Sequence, residues 1–376
     1  MRPQLSMTPP AIPYVDLAAQ HAPLRERILD AVARVLDHGC FILGPEVAEL
    51  ESRLAERLGV PHVVGVANGT DALTLALRAR GVGPGDDVLT VSHSFVATAA
   101  AICLAGARPV FVDVDERTMQ IDPDALPAAL TEHTRAVIPV HLNGSPCDLG
   151  RVADFCRRHG LALIEDCAQA LGVRAAGESV GTRELGCFSL HPLKVLSACG
   201  DAGFVAARSA DDAERLRRLR NVGLADRDHC AEVSGNHRLD TLQAAILLVK
   251  LEHLDGWTAA RRRHAAAYRA AFAGKLTLPP EEAEGDFAIY SAFVVRHPRR
   301  DRLIELLRAR GVGAKVHYPL AIHQQKAFAQ FAGRPLPVTE RVVSEILSLP
   351  VSAELTGESR ERVIAAVLAA LAEVDG

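Results

Sequence analysis

The sequence predicts an α/β fold: one large domain built on a mostly parallel sheet, followed by a smaller C-terminal α+β domain. Three observations carry this. Between residues 63 and 166, short β-rich runs alternate with helical runs. Glycine and proline punctuate the alternation at Gly83-Pro84-Gly85-Asp86, Gly144-Ser145-Pro146 and Gly160. After about residue 239 the texture changes to long helical periodicity with almost no breakers.

The elements follow in order. Residues up to about Pro13 read as a loose arm. Val63–Val66 is a strand, followed by a helix over Asp71–Arg78. Val88–Val91 precedes a helix over Val96–Leu104, and Pro109–Val114 precedes one over Pro123–Leu130. Ala136–Val140 leads to Leu149–His159, and Leu161–Asp166 closes the series. Such a rhythm implies a sheet covered by helices on both faces. Leu239–Phe272 reads as one long helix or two in tandem. Beyond it come a β-rich run at Phe287–Val295, a helix at Leu303–Arg310 and two helices near the C-terminus. We expect the domains to divide as residues 1–254 and 255–376.

Bulk properties restrict the function. The chain has 376 residues, 49% of them apolar, which supplies a sizeable core. Its formal net charge is −4 and no basic block stands ready to neutralise a row of phosphates, so nucleic acid is not an expected partner. Arg217-Arg218 and Arg261-Arg262-Arg263 fall in helical patterns and read as solvated faces. None of the eight cysteines forms a C-x-x-C pair, so no metal site is expected and the thiols read as reduced. The most apolar stretch, Val96 to Leu104, is too short to span a bilayer. The expectation is a cytoplasmic protein that does not enter a membrane.

Ligands of open α/β sheets sit beyond the carboxyl ends of the strands, and three such ends carry chemistry. Asn68-Gly69-Thr70-Asp71 opens a helix after the first strand. Glycine permits close approach there, the helix N-terminus offers N–H groups to an anion, and Thr70 adds a hydroxyl; an ordinary capped turn is the plain alternative. The fingerprints of nucleotide-binding loops are missing from it. Ile164-Glu165-Asp166-Cys167-Ala168-Gln169 runs an apolar strand into adjacent carboxylates, either for chemistry or as a cap. Phe188-Ser189-Leu190-His191-Pro192-Leu193-Lys194 places a lysine in weakly charged surroundings, where loss of its proton is favoured; an exposed loop lysine is the alternative.

Together these features resemble the DegT/DnrJ/EryC/StrS sugar aminotransferases. The shared pattern is an Asp with Gln three residues on, then Phe-Ser-x-x-Pro-x-Lys and Gly-Asp-x-Gly. The resemblance extends from Pro13-Tyr14-Val15-Asp16-Leu17 and Phe41-Ile42-Leu43-Gly44-Pro45 through Gly235-Asn236-His237-Arg238-Leu239-Asp240 and Gln243-Ala244-Ala245 to His317-Tyr318-Pro319 and Leu347-Ser348-Leu349-Pro350. It implies the aspartate-aminotransferase-like fold (fold type I), pyridoxal 5′-phosphate as cofactor, and a homodimer with shared active sites. By position, Lys194 would hold the cofactor and move the proton, and Asp166 would pair with the pyridine nitrogen. Gln169 would contact the ring hydroxyl side and Phe95 would stack on the ring. Gly69, Thr70 and Ser189 would hold the phosphate, with Asn236 reaching the phosphate of the neighbouring subunit. His317, Tyr318 and His323 would line the sugar side.

The chain departs from its relatives at Asn143, where many have Tyr, and at His191, which replaces an aromatic before the proline. Both positions bear on the substrate rather than the cofactor. The reaction implied moves an amino group from an amino acid, glutamate in the first instance, to the keto group of a nucleotide-linked deoxysugar. Gly200-Asp201-Ala202-Gly203 and the Arg238-Leu239-Asp240 run through Lys250-Leu251 resemble the branch that aminates C3. A keto-cyclitol aminotransferase and a non-catalytic cofactor-binding regulator are the alternatives. Lys194, Asp166 and Gln169 argue against the second.

Overall fold

The computed structural model describes residues 11–375; residues 1–10 of the expected arm lie outside them. Seven strands form the central sheet: β1 (His62–Val66), β2 (Asp87–Val91), β3 (Arg108–Val112), β4 (Thr134–Ile138), β5 (Ala162–Asp166), β6 (Leu185–Ser189) and β7 (Gly203–Ala207). Their spatial order is β1-β7-β6-β5-β4-β2-β3. Only β7 runs antiparallel to its neighbours. The carboxyl ends of the other six therefore open on one side.

Neighbouring residues of each strand feed different cores, because side chains alternate between faces. Val63, Val137 and Leu163 join the core that contains Leu149 and Val152 of helix α5. Val64, Ile138 and Ile164 join the core that contains Leu73, Ile102 and Leu216. On that second face lie α3 (Gly69–Ala79), α4 (Ala97–Leu104) and α6 (Ala210–Arg220). Helices α1 (Arg25–His38), α2 (Pro45–Leu58) and α5 (Leu149–His159) also belong to the part of the chain before β7, with short helical turns at Leu17–His21 and Leu126–Ala129. This is the two-faced α/β layering expected. Each side chain as fully buried as Val64 or Ile164 contributes roughly 1.5–3 kcal/mol of transfer free energy.

The expected helical run after residue 239 is two helices, α7 (Thr241–Leu251) and α8 (Leu254–Phe272), broken at Glu252-His253. The remaining elements are β8 (Phe293–Arg296), α9 (Arg300–Ala309), α10 (Pro337–Glu345), β9 (Ile346–Leu349) and α11 (Gly357–Asp375). A third core joins Tyr268, Phe272, Phe293, Leu307, Leu347 and Val367.

Three expectations need correction. The helix over Pro123–Leu130 is a single turn, Leu126–Ala129, because the acidic residues before it form a turn in which Asp122 accepts the Asp124 N–H at 2.9 Å. The β-rich run at Phe287–Val295 is a strand only from Phe293. Tyr290 takes a positive φ of 50°, so the chain folds over Gly144 instead of extending. The described end of the arm is docked: Ile12 is 3% exposed and pairs with Val312.

Candidate active site

Each candidate residue is placed by a strand end. At the end of β1, Asn68 caps α3 by accepting the Asp71 N–H at 2.8 Å. The helix then starts at Gly69, two residues before the run expected, with its first N–H groups pointing out of the helix. A Cβ at Gly69 would lie 2.8 Å from the Cβ of Ser189, so only glycine lets this helix start approach the end of β6. Gly203 serves the same junction, since a Cβ there would lie 2.6 Å from the Asn68 carbonyl. Gly69, Thr70 and Ser189 are thus gathered at one half-buried place.

Asp166 ends β5 and is buried. Its Oδ2 accepts from Thr98 Oγ1 at 2.8 Å and its Oδ1 from the Ala168 N–H at 3.1 Å. Burial holds its carboxyl above the usual range, against the pull of Thr98, the Ala168 N–H and Lys194. No helix starts at Asp166, so it is not a helix cap. Lys194 follows β6, half-buried, with its ammonium pushed below the ordinary lysine range by burial and held up by Asp166. That direction favours the neutral amine a nucleophilic lysine needs.

Gln169 bridges two elements. Its Oε1 accepts the Asn143 N–H at 2.7 Å and its Nε2 donates to the Tyr318 hydroxyl at 3.3 Å. Tyr318 lies against Phe95, with ring centroids 5.5 Å apart, and Phe95 is 52% exposed, leaving a ring face free to stack. Burial raises the Tyr318 phenol, which stays protonated at neutral pH. His317 is held at about 4 by burial and by Lys194 and Lys315, so it is neutral; its Nδ1 meets Ser348 Oγ at 2.9 Å.

Two candidates are not drawn into this group. His323 is buried, with Nδ1 on Ser92 Oγ at 2.8 Å and Nε2 on Glu340 at 3.3 Å. Both ring nitrogens join its turn to Ser92 and Glu340, which sets it apart from the Gln169–Tyr318 group. Asn236 is exposed, its side chain accepting only from the Arg238 N–H at 3.5 Å, and the following His237 carbonyl accepts from Ala67 N at 2.9 Å. His191 is likewise exposed.

Several contributors were not singled out from sequence. Thr98 lies in the first turn of α4, and its N–H donates to the carbonyl of Phe95, just before the helix, at 3.1 Å. His141 and Glu165 form a fully buried pair at 3.0 Å behind Asp166, and the His141 N–H donates to the Asp166 carbonyl at 3.0 Å. In the arginine run on α8, Arg261 is 4% exposed and Arg262 is half-buried, so only Arg263 is exposed as expected of a solvated face. All eight cysteines are free thiols. Among the described residues no helix is long and apolar enough to cross a membrane.

A buried carboxylate and a lysine whose proton affinity is lowered by burial, at adjacent strand ends beside a glycine-built helix start, are the fittings of an enzyme site. A model of the DegT/DnrJ/EryC1/StrS aminotransferase family matches residues 23–368. The chain belongs to that family and is a pyridoxal-phosphate-dependent aminotransferase. It is 42% identical to the UDP-N-acetyl-3-dehydro-alpha-D-glucosamine 3-aminotransferase of Acidithiobacillus ferrooxidans over 94% of this chain and 96% of that protein. It is 41% identical to a pleiotropic regulatory protein of Geobacillus stearothermophilus, over 94% and 96%. The crystal structure of S. venezuelae DesV with a ketimine intermediate superposes with a TM-score of 0.93 at 40% identity, covering 96% and 98% of the two chains.

Proposed function

We propose that the chain moves an amino group from an amino acid, glutamate in the first instance, to the C3 keto group of a nucleotide-linked sugar. The observation that carries the catalytic part is that Asp166 and Lys194 stand at the ends of neighbouring strands, close enough for each to feel the other's charge. The C3 assignment rests on Gly200-Asp201-Ala202-Gly203 and on the similarity to a 3-aminotransferase.

The residues fit pyridoxal phosphate. The missing Cβ at Gly69 lets the start of α3 close on Ser189, so that the helix N–H groups and the Thr70 and Ser189 hydroxyls could serve one phosphate. Asp166, short of a cation in a buried setting, would keep a pyridine nitrogen protonated. When bound, the cofactor supplies the electron sink for breaking the bond to the substrate's α-hydrogen. Lys194 would hold it and would serve as the base that moves the substrate's proton. Gln169 would face the ring hydroxyl, Phe95 would cover the ring, and His317 and Tyr318 would line the sugar side. Asn236, free of other site residues in its own chain, would reach the partner subunit's phosphate in a homodimer. We read the chain as two units, 1–254 and 255–376, supported by the separate core around Phe272 and Phe293, and as acting in the cytoplasm.

The test is the reverse reaction. Supplied with 2-oxoglutarate, the enzyme is expected to deaminate 3-amino but not 4-amino nucleotide sugars, forming glutamate. Deamination of 4-amino compounds alone overturns the C3 assignment and leaves the transferase reading standing. The similarity to a regulatory protein keeps a second reading in view, a cofactor-binding regulator. A half-reaction with glutamate, seen as loss of the cofactor's visible absorbance, separates the two.

A further inference from the structure

Three buried polar atoms along one stretch of wall have no hydrogen-bond partner among the described residues: Asn143 Oδ1, Ser291 Oγ and Arg261 Nε. They belong together. The Asn143 carbonyl accepts the Ala292 N–H at 3.3 Å, and a Cβ on Gly144 would stand 2.9 Å from Ser291 Oγ. Arg261 Nη1 donates to the carbonyls of Tyr290 at 3.4 Å and Ser291 at 3.3 Å. Asn143 and Arg261 are 7% and 4% exposed.

The wall reaches the active site by two routes. Through Asn143 it meets Gln169, whose amide holds Tyr318. Through Tyr14 it meets His317: the phenol of Tyr14 interacts with Arg261 and Ser348, its ring lies 5.2 Å from that of His317, and Ser348 also holds His317 Nδ1. His317 in turn feels the charge of Lys194.

Arg261 has no carboxylate at hydrogen-bonding distance, which is rare for a buried guanidinium. Two peptide carbonyls are weak compensation for a full charge, and burial correspondingly depresses the group, with Glu354 and Tyr14 opposing from further off. We propose that Arg261, Ser291 and Asn143 form the carboxylate subsite for the amino-acid donor. A guanidinium N–H and a hydroxyl supply donors, and the Asn143 amide presents either its oxygen or its nitrogen by rotation. A planar carboxylate accepts from the Arg261 Nε–H, from the Ser291 hydroxyl and, with the amide rotated, from the Asn143 Nδ2–H, and it neutralises the charge. The subsite is separate from the one that takes the sugar nucleotide. Asn143, the position where many relatives carry Tyr, becomes a specificity residue.

This rests on the aminotransferase reading, so its test is built to fail separately. The probe is glutarate, a dicarboxylate with the donor's length and no nitrogen, titrated into the holoenzyme by calorimetry. Arg261→Lys and Asn143→Asp are expected to weaken glutarate by about tenfold or more, and Ser291→Ala by less. The KM for glutamate should rise in step, while binding of the nucleotide-sugar substrate stays within about twofold. Borohydride fixation of the cofactor in each variant reports that the cofactor site is intact; failure of fixation in the wild type would sink the aminotransferase reading itself. If Arg261→Lys does not fold, Asn143→Asp and Ser291→Ala decide alone. Glutarate affinity unchanged in the folded variants, or loss of nucleotide-sugar binding instead, overturns the proposal and leaves the orphan atoms to buried water.

Discussion

Lys194 is half-buried beside one carboxylate, and burial lowers its proton affinity. Reduction of the purified protein with borohydride should therefore fix the cofactor on the peptide that contains Lys194; recovery of label on any other lysine would end that assignment. Asp166→Asn retains an oxygen for Thr98 but has no charge to hold a proton on the pyridine nitrogen. We expect cofactor binding to survive while the glutamate half-reaction slows by about a hundredfold or more. A near-normal single-turnover rate would show that Asp166 only shapes the turn. His93 and His317 carry a third expectation. Burial lowers both to about 4 from the ordinary 6.5. Between those values the unfolded chain binds protons that the folded chain refuses, so stability falls as pH drops from 6.5 toward 4 and levels off below. Urea midpoints for His93→Gln should fall less steeply over that window than those of the wild type. Equal slopes would mean that His93 does not titrate as described.

Among the elements, the junction of β1, α3 and β6 is the one most exposed to a single added methyl. Gly203→Ala drives a Cβ into backbone, which cannot swing aside, whereas Gly69→Ala meets the Ser189 side chain. The first is expected to cost about 1–3 kcal/mol of stability or more, read as a lowered Tm. The second should mainly loosen cofactor binding, read by dialysis. Equal effects of both on Tm would count against a cradle built at Gly69. The Gly69 and Gly203 motifs could be read in the sequence, but their reason could not, because residues 69, 189 and 203 meet only in the folded sheet. The strands were legible because Val, Ile and Leu runs buried on both faces have few other uses. The turn at Tyr290 was not: its residues look like a strand, and the positive φ is imposed by packing against Gly144.

For the whole molecule, the prediction is an active site shared between two copies. Asn236 spends its side chain on no residue of the Lys194 site in its own chain. Mixing inactive Lys194→Ala with an inactive Asn236→Ala variant should restore activity, because one site of each mixed dimer keeps both residues. No recovery after verified subunit exchange would refute sharing.

Ordered spacing along the chain determined the layered α/β architecture and the strand ends that bear Gly69, Asp166 and Lys194, whereas the cofactor was implied by the resemblance of those motifs to a known family. Those features depend on periodicity and on residue type at a strand's end, which are local and so written in the sequence. Tertiary structure alone decided that Thr98 backs Asp166, that His323 is consumed by Ser92 and Glu340, and that Arg261 lies buried near Tyr14 rather than in solvent. Each of those depends on which distant segments pack together, and a polar side chain's role is set by the partners it finds there.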